Sequence, residues 1–310
     1  MTTAYITHAD CLRHDMGGGH PECPDRLASV NEVVRASAVW PDLRRIEAPL
    51  ADVADLKRVH DAAYVDAIFE RAPAEGRIQL DPDTAMNAYS LDAARRAAGA
   101  GVAAVDAILE GGVANAFCAV RPCGHHATRS RSMGFCIFNN IGVAAAHAVR
   151  ARGIERVAII DFDVHHGNGT EDMFSQPPWQ PHVLMASFFQ HPFYPYSGVQ
   201  PEAPNMVNVP LAAGSGGAAV KSAVEEHWLP ALESFAPQMI FISAGFDAPR
   251  EELLGGMSLV EADYVWMTRE LLRVADRHAR GRVVSMLEGG YHLGALGRSA
   301  AAHVAALAAA

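Results

Sequence analysis

Apolar positions along this chain follow two alternating spacings. Apolar residues three or four apart mark residues 25–39, 61–71, 91–109, 139–152, 217–235, 259–278 and 297–308, the period of helices that bury one stripe. Short unbroken apolar runs at 116–120, 157–161, 183–188, 239–243 and 283–287 predict buried strands. Neither an internal repeat nor a Pro/Gly/Ser-rich linker interrupts the alternation. It predicts one α/β domain over residues 1–310, with a mostly parallel sheet and helices on both faces.

Each predicted strand leads at once into a polar or glycine-rich segment. Arg121-Pro-Cys-Gly-His-His-Ala127 follows the first and Asp161-Phe-Asp-Val-His-His-Gly-Asn-Gly169 the second. Ser187 and an aromatic, proline-rich loop to Pro204 follow the third, Ala244-Gly-Phe-Asp247 the fourth, and Glu288-Gly-Gly-Tyr-His292 the fifth. In open parallel sheets the ligand site lies outside the carboxyl ends of the strands. These five segments are therefore expected to meet at one sheet edge.

The second segment carries metal chemistry. In an extended chain residues two apart point the same way, so Asp161, Asp163 and His165 are expected on one face. Two carboxylates and an imidazole suit a divalent metal, against the plainer reading of a strand capped by solvated polar residues. Asp163, His165 and Asp247 would give three protein ligands with one position open, the arrangement of a catalytic zinc site. A metal held there lowers the pKa of its water and polarises a carbonyl. The pair His125-His126 offers a general base and a general acid, although a His pair alone reads more simply as a hydrogen-bonded loop element.

Tyr291, after two glycines, can turn its phenol toward a developing oxyanion; in isolation it would read as a partly buried tyrosine at a helix entrance. Phe135, Phe193, Tyr194 and Tyr196 fit either the walls of a narrow channel or plain core.

Charge and cysteine usage narrow the partners. The formal net charge of −10 argues against nucleic acid, whose phosphates need clustered Lys and Arg. The five cysteines form neither a CxxC pair nor an even disulfide framework, and the N-terminus lacks a basic and apolar leader. A reducing cytoplasm is the expected compartment. No apolar run is long enough to span a membrane, and the sequence is compatible with a homo-oligomer.

Taken in order, Gly124-His125-His126, Gly134-Phe135-Cys136, Asp161 to Gly169, Ser243-Ala-Gly-Phe-Asp247 and Leu287-Glu-Gly-Gly-Tyr291 resemble the histone deacetylase superfamily. They are most like its class II members and bacterial histone-deacetylase-like amidohydrolases, and the likeness runs from His20-Pro-Glu-Cys-Pro-Asp-Arg26 nearly to the C-terminus. The resemblance implies an arginase/deacetylase fold around an eight-stranded parallel sheet, and catalytic Zn2+ on Asp163, His165 and Asp247. It moves Asp161 out of that set, to orient His125 and to share a structural K+ with Ser187 and backbone carbonyls. Such outer partners fix an imidazole's tautomer and basicity. Asn168, where class I relatives carry an acid, should leave His126 less biased toward its protonated form.

Three departures bear on the substrate. Cys123 replaces the usual proline, placing an oxidisable thiol near the site. Leu254 falls where polyamine deacetylases place a glutamate gatekeeper, and Tyr196 stands where glycine is usual, at the channel mouth. The resemblance implies removal of acetyl or another short acyl group from an acylated amine, an acetyl-lysine or a small amide. Acetylpolyamines are the alternative substrate. An arginase-like ureohydrolase would need a paired-manganese Asp-x-His-x-Asp signature, which Val164-His165-His166-Gly167 does not supply. A non-catalytic acyl-lysine binding module would not need all three metal residues, both histidines and Tyr291.

Overall fold

The computed structural model describes residues 2–310. Its strands are β1 (Thr3–Thr7), β2 (Arg44–Glu47), β3 (Arg77–Gln79), β4 (Ala85–Asn87), β5 (Asn115–Cys118), β6 (Val157–Asp161), β7 (Val183–Gln190), β8 (Met206–Leu211), β9 (Met239–Ala244) and β10 (Val283–Leu287). Eight of them form one sheet in the order β2-β1-β5-β10-β9-β6-β7-β8, and every neighbouring pair runs parallel. The remaining two, β3 and β4, make a small antiparallel hairpin.

The helices are α1 (Pro24–Ala36), α2 (Val53–Leu56), α3 (Ala62–Arg71), α4 (Ser90–Leu109), α5 (Asn140–Arg150), α6 (Asn168–Phe174), α7 (Gly217–Ala223), α8 (Leu229–Phe235), α9 (Glu261–Val274) and α10 (Leu293–Ala308). α4 packs on α5 in one layer, and α1, α10 and α9 pack in series in another. A parallel sheet covered on both faces needs strands that are apolar throughout. The strands β5, β6, β7, β9 and β10 are accordingly buried at every position.

All five predicted strands are present, and three sheet strands escaped the apolar pattern. β2 is Arg-Arg-Ile-Glu and largely exposed. β8 carries Asn208 and Pro210 and is half exposed. Both lie at sheet edges, where one flank faces solvent and proline is tolerated. β1 is buried, but threonine stands at both ends and leaves only Ala4-Tyr5-Ile6 as an apolar run. The predicted helix 217–235 is α7 and α8 joined by a wide π turn at Val224–Trp228; Pro230, which has no N–H to give, stands just after it. α10 begins at Leu293, four residues before the expected start, because the His292 side chain caps it by accepting from Ala295 N–H.

Candidate active site

The chain leaves extended geometry at the end of β6 because its carboxylates fold back onto the backbone. Asp163 N–H donates to Asp161 Oδ1 at 3.0 Å, and His165 N–H to Asp163 Oδ1 at 2.9 Å, the local bond by which Asp makes turns. The strand ends on Asp161. The two-residue alternation expected to bring Asp161, Asp163 and His165 to one face therefore stops there. Asp161 turns instead to His125, with its Oδ2 2.9 Å from Nδ1.

Asp163, His165 and Asp247 do converge. One ligand atom from each lies within 4.8 Å of the others, and all three residues are buried. His165 Nδ1 is 3.0 Å from Asp163 Oδ1 and 3.1 Å from Asp247 Oδ2. Backbone amides fix the carboxylates from outside: Gly289 N–H donates to Asp163 Oδ2 and Val164 N–H to Asp247 Oδ1, each at 2.8 Å. Position 289 requires glycine, since a Cβ would lie 2.1 Å from Asp247 Oδ2. Two buried acids facing one imidazole form a donor set that suits zinc with one position open.

The two histidines are held differently. Gly124 and His125 N–H donate to Glu288 Oε2 at 2.6 and 3.1 Å, which anchors their loop to the end of β10. Burial alone would lower the His125 pKa, but the Asp161 and Asp163 carboxylates outweigh it and hold the imidazole well above its ordinary value. His126 sits well below its ordinary value because of burial and the neighbouring His125 and His165. Its Nδ1 lies 2.8 Å from Asn168 Oδ1. An amide oxygen there accepts the Nδ1 proton, leaving a lone pair on Nε2.

A cavity of about 210 Å³ opens onto this group. His126, His165 and Tyr291 supply its polar chemistry, while Phe135, Phe193, Tyr194 and Leu254 form apolar walls. Phe193 stacks on His165 at 5.4 Å between ring centroids, and Tyr194 meets His126 edge-on at 5.2 Å. Phe135 is presented by a tight turn from Met133 to Cys136 in which Gly134 and Phe135 both have positive φ. Tyr196 is not part of the wall. It bonds back to the Phe193 carbonyl with φ +62°, which carries its ring outward to 75% exposure.

Tyr291 is 8% exposed, and burial pushes its phenol well above the ordinary value, so it is a neutral donor near pH 7. The Arg26 guanidinium lies 4.8 Å from its ring centroid and donates to the Gly290 and Glu288 carbonyls at 2.6 and 2.5 Å. Arg26 is balanced by Glu22, which also takes two 2.6 Å bonds from Arg121. Ser187 is the cross-strand partner of Asp161 on β7, as Ser243 is on β9; its hydroxyl donates to Asn208 Oδ1 at 3.4 Å.

The structure adds three acids to those singled out in the sequence, and gives a fourth, Glu252 in the run leading to Leu254, its partners. Glu22 and Glu288 lie inside quoted motifs, which was their only signal. Asp83 stands on the turn between β3 and β4 and reaches the cavity, where it accepts Gly134 N–H at 3.0 Å. Glu252 is buried under the Tyr291 backbone. Asp83 has no pattern around it in the sequence, and Glu252 is turned to backbone amides instead of reaching the channel as an acid.

The histone deacetylase domain family matches residues 20–307. A histone deacetylase-like amidohydrolase of Pseudomonas aeruginosa is 38% identical over 280 residues, 88% of this chain and 73% of the relative. Polyamine deacetylase HDAC10 of Homo sapiens is 34% identical, over 96% of this chain and 47% of that protein. Among solved structures, the HDA15 HD domain superposes with a TM-score of 0.92 at 35% identity, covering 99% of this chain and 90% of that one. No described helix is long and apolar enough to cross a membrane. With a family match over nearly its whole length and the family's eight-stranded parallel sheet, the chain belongs to the histone deacetylase family and is an amidohydrolase of the deacetylase kind.

Proposed function

We propose that this chain is a zinc-dependent deacetylase that removes acetyl or another short acyl group from acyl-lysine-type amines. The observation that carries the reading is the cluster of Asp163, His165 and Asp247, whose His165 lines one aromatic-walled cavity together with His126 and Tyr291. A cavity of about 210 Å³ with these apolar walls suits a slender side chain, with its amide toward the metal group.

Asp163, His165 and Asp247 would hold the metal, which supplies Lewis acidity to the amide carbonyl and to a water. The remaining chemistry belongs to the chain. His126, neutral at pH 7 with Nε2 free, accepts a proton from the attacking water and returns it to the departing nitrogen. His125, held by Asp161 and beside His126, helps to orient the water. Tyr291 donates its phenolic proton as a hydrogen bond to the developing oxyanion. Asp161 and Ser187, adjacent across β6 and β7, are where a structural K+ would be held.

Leu254 on the cavity wall favours acyl-lysine over acetylpolyamine. A distal ammonium gains from a carboxylate near its path, and an apolar side chain withholds that pairing. The nearby acids are already engaged: Glu251 is paired with Arg298 on the surface, Glu252 is taken up by backbone amides, and Asp83, which also lines the cavity, accepts Gly134 N–H and the Thr84 hydroxyl on Oδ1. The human relative named as a polyamine deacetylase keeps the alternative in view. The test is kcat/KM for an acetyl-lysine peptide against N-acetylputrescine and N8-acetylspermidine. A polyamine advantage of about tenfold, a difference of about 1.4 kcal/mol in transition-state binding, would overturn the preference. Inactivity on all three would favour a binding module.

A further inference from the structure

We propose that Cys123 and Cys136 are a modification site: a thiol pair that a peroxide closes to a disulfide, shutting down the adjacent pocket. Their Sγ atoms are 3.4 Å apart, and both side chains are buried. Both thiols also lie against the Gly134 carbonyl, at 3.8 Å from Cys123 and 3.3 Å from Cys136. Gly134 lines the cavity, so a water-sized oxidant entering the channel stands one residue from the pair. Glu288 approaches both sulfurs, but its oxygens already accept Gly124 N–H, His125 N–H and the Ser243 hydroxyl. That leaves two thiols without a third free ligand, a set suited to thiol–disulfide chemistry rather than to a metal.

The reaction balances with hydrogen peroxide. One thiol sulfur attacks a peroxide oxygen, the O–O bond breaks, and the departing hydroxide leaves as water with that thiol's proton, giving a sulfenic acid. The second sulfur then attacks the sulfenic sulfur. The S–S bond forms, the S–O bond breaks, and hydroxide leaves as water with the remaining thiol proton. Two electrons and two hydrogens pass from the thiols to one peroxide, which becomes two waters.

Closure is expected to reach the site because the two segments touch beside it. A disulfide needs sulfurs about 2.05 Å apart, well inside the present 3.4 Å, and closing that gap draws on the turn carrying Phe135 and the loop carrying His125 and His126. Gly134 already lies so close to His126 that a Cβ there would stand 2.3 Å from its Cδ2. Movement of the turn is therefore passed to the His126 ring and to Phe135. Misplacement on the ångström scale costs about tenfold to a hundredfold in rate.

The loss of activity rests on the deacetylase reading; the disulfide does not. The zinc-loaded full chain is treated with hydrogen peroxide, then split for peptide mapping and for acetyl-lysine turnover. The expected result is a Cys123–Cys136 linked peptide, a fall in kcat/KM of about tenfold or more, and recovery with dithiothreitol. Cys123→Ser should keep basal activity and resist peroxide. Absence of the linked peptide while the thiols are consumed would overturn the site, and a linked peptide with unchanged kcat/KM would overturn the switch. A linked peptide in a chain inactive on every acyl amine would sink the deacetylase reading and leave the thiol pair standing.

Discussion

The backbone N–H of Tyr291 donates to Glu252 Oε2 at 2.9 Å, although the two residues lie on loops that follow different strands. The same oxygen accepts His292 N–H at 3.2 Å, while Oε1 accepts Leu253 and Leu254 N–H at 2.7 and 3.1 Å. One carboxylate thus ties the channel wall at Leu254 to the backbone that carries the phenol. Glu252→Ala should lower kcat/KM about tenfold to a hundredfold by loosening Tyr291, with the metal retained. Steady-state kinetics together with elemental analysis checks this; loss of zinc in parallel would point to a wider collapse.

Tyr291→Phe removes the donor and keeps the ring that packs on Phe135 at 5.8 Å. The expected effect is a fall in kcat of about a hundredfold with normal metal content, the usual loss for one oxyanion donor. An unchanged kcat would place the donor elsewhere.

Asn168→Asp puts a carboxylate where an amide oxygen now lies 2.8 Å from His126 Nδ1. A charge that close favours the imidazolium and raises the His126 pKa by about 1–3 units. His126 must be neutral to accept a proton, so a raised pKa moves the acidic limb of the kcat/KM profile to higher pH. Profiles of the two proteins test the sign directly; a shift to lower pH would contradict this role for His126.

Gly289→Ala should empty the metal site without unfolding the chain. Its Cβ would lie 2.1 Å from Asp247 Oδ2 and 2.6 Å from Asp163 Oδ2, so both carboxylates must yield. Zinc bound after dialysis, with the far-UV spectrum as control, decides the point. Full zinc occupancy would show that the pocket can relax around a methyl group.

Glu22→Gln leaves the buried Arg121 and Arg26 guanidiniums facing a neutral amide. Breaking one side of a fully buried ion cluster costs about 3–5 kcal/mol, to be read from denaturant unfolding. Burial alone would raise the Glu22 pKa, but Arg121, His14 and Arg26 outweigh it and hold the acid well below its usual range. That stability is complete above an unfolded-state pKa of about 4.3 and falls away as pH drops below it. The variant should therefore lose much of the parent's sensitivity to acid.

The sequence displayed what the sheet interior dictates. β6 and β9 are buried on both faces, so their apolar runs show without ambiguity, and the loops beyond them carry Asp163, His165 and Asp247. β2 and β8 were illegible because edge strands answer to solvent on one flank, and Arg44, Arg45 and Asn208 break any apolar pattern. Asp161 was misdirected by pattern alone because side chain-to-backbone turns end the strand on it. The supporting acids were hidden for a different reason. Glu252 and Asp83 act by accepting backbone N–H groups from loops distant in sequence, and no spacing within one segment encodes such a bond.

The position of β9 between β10 and β6 has a consequence for how the enzyme is made. His165 and Asp247 are 82 residues apart and become neighbours only when β9 is inserted beside β6. A chain emerging from the ribosome can therefore display its His-rich loop well before it can close a three-ligand site. On the zinc-dependent reading proposed above, metal capture would report the pairing of β9 with β6 rather than the arrival of the His-rich loop alone.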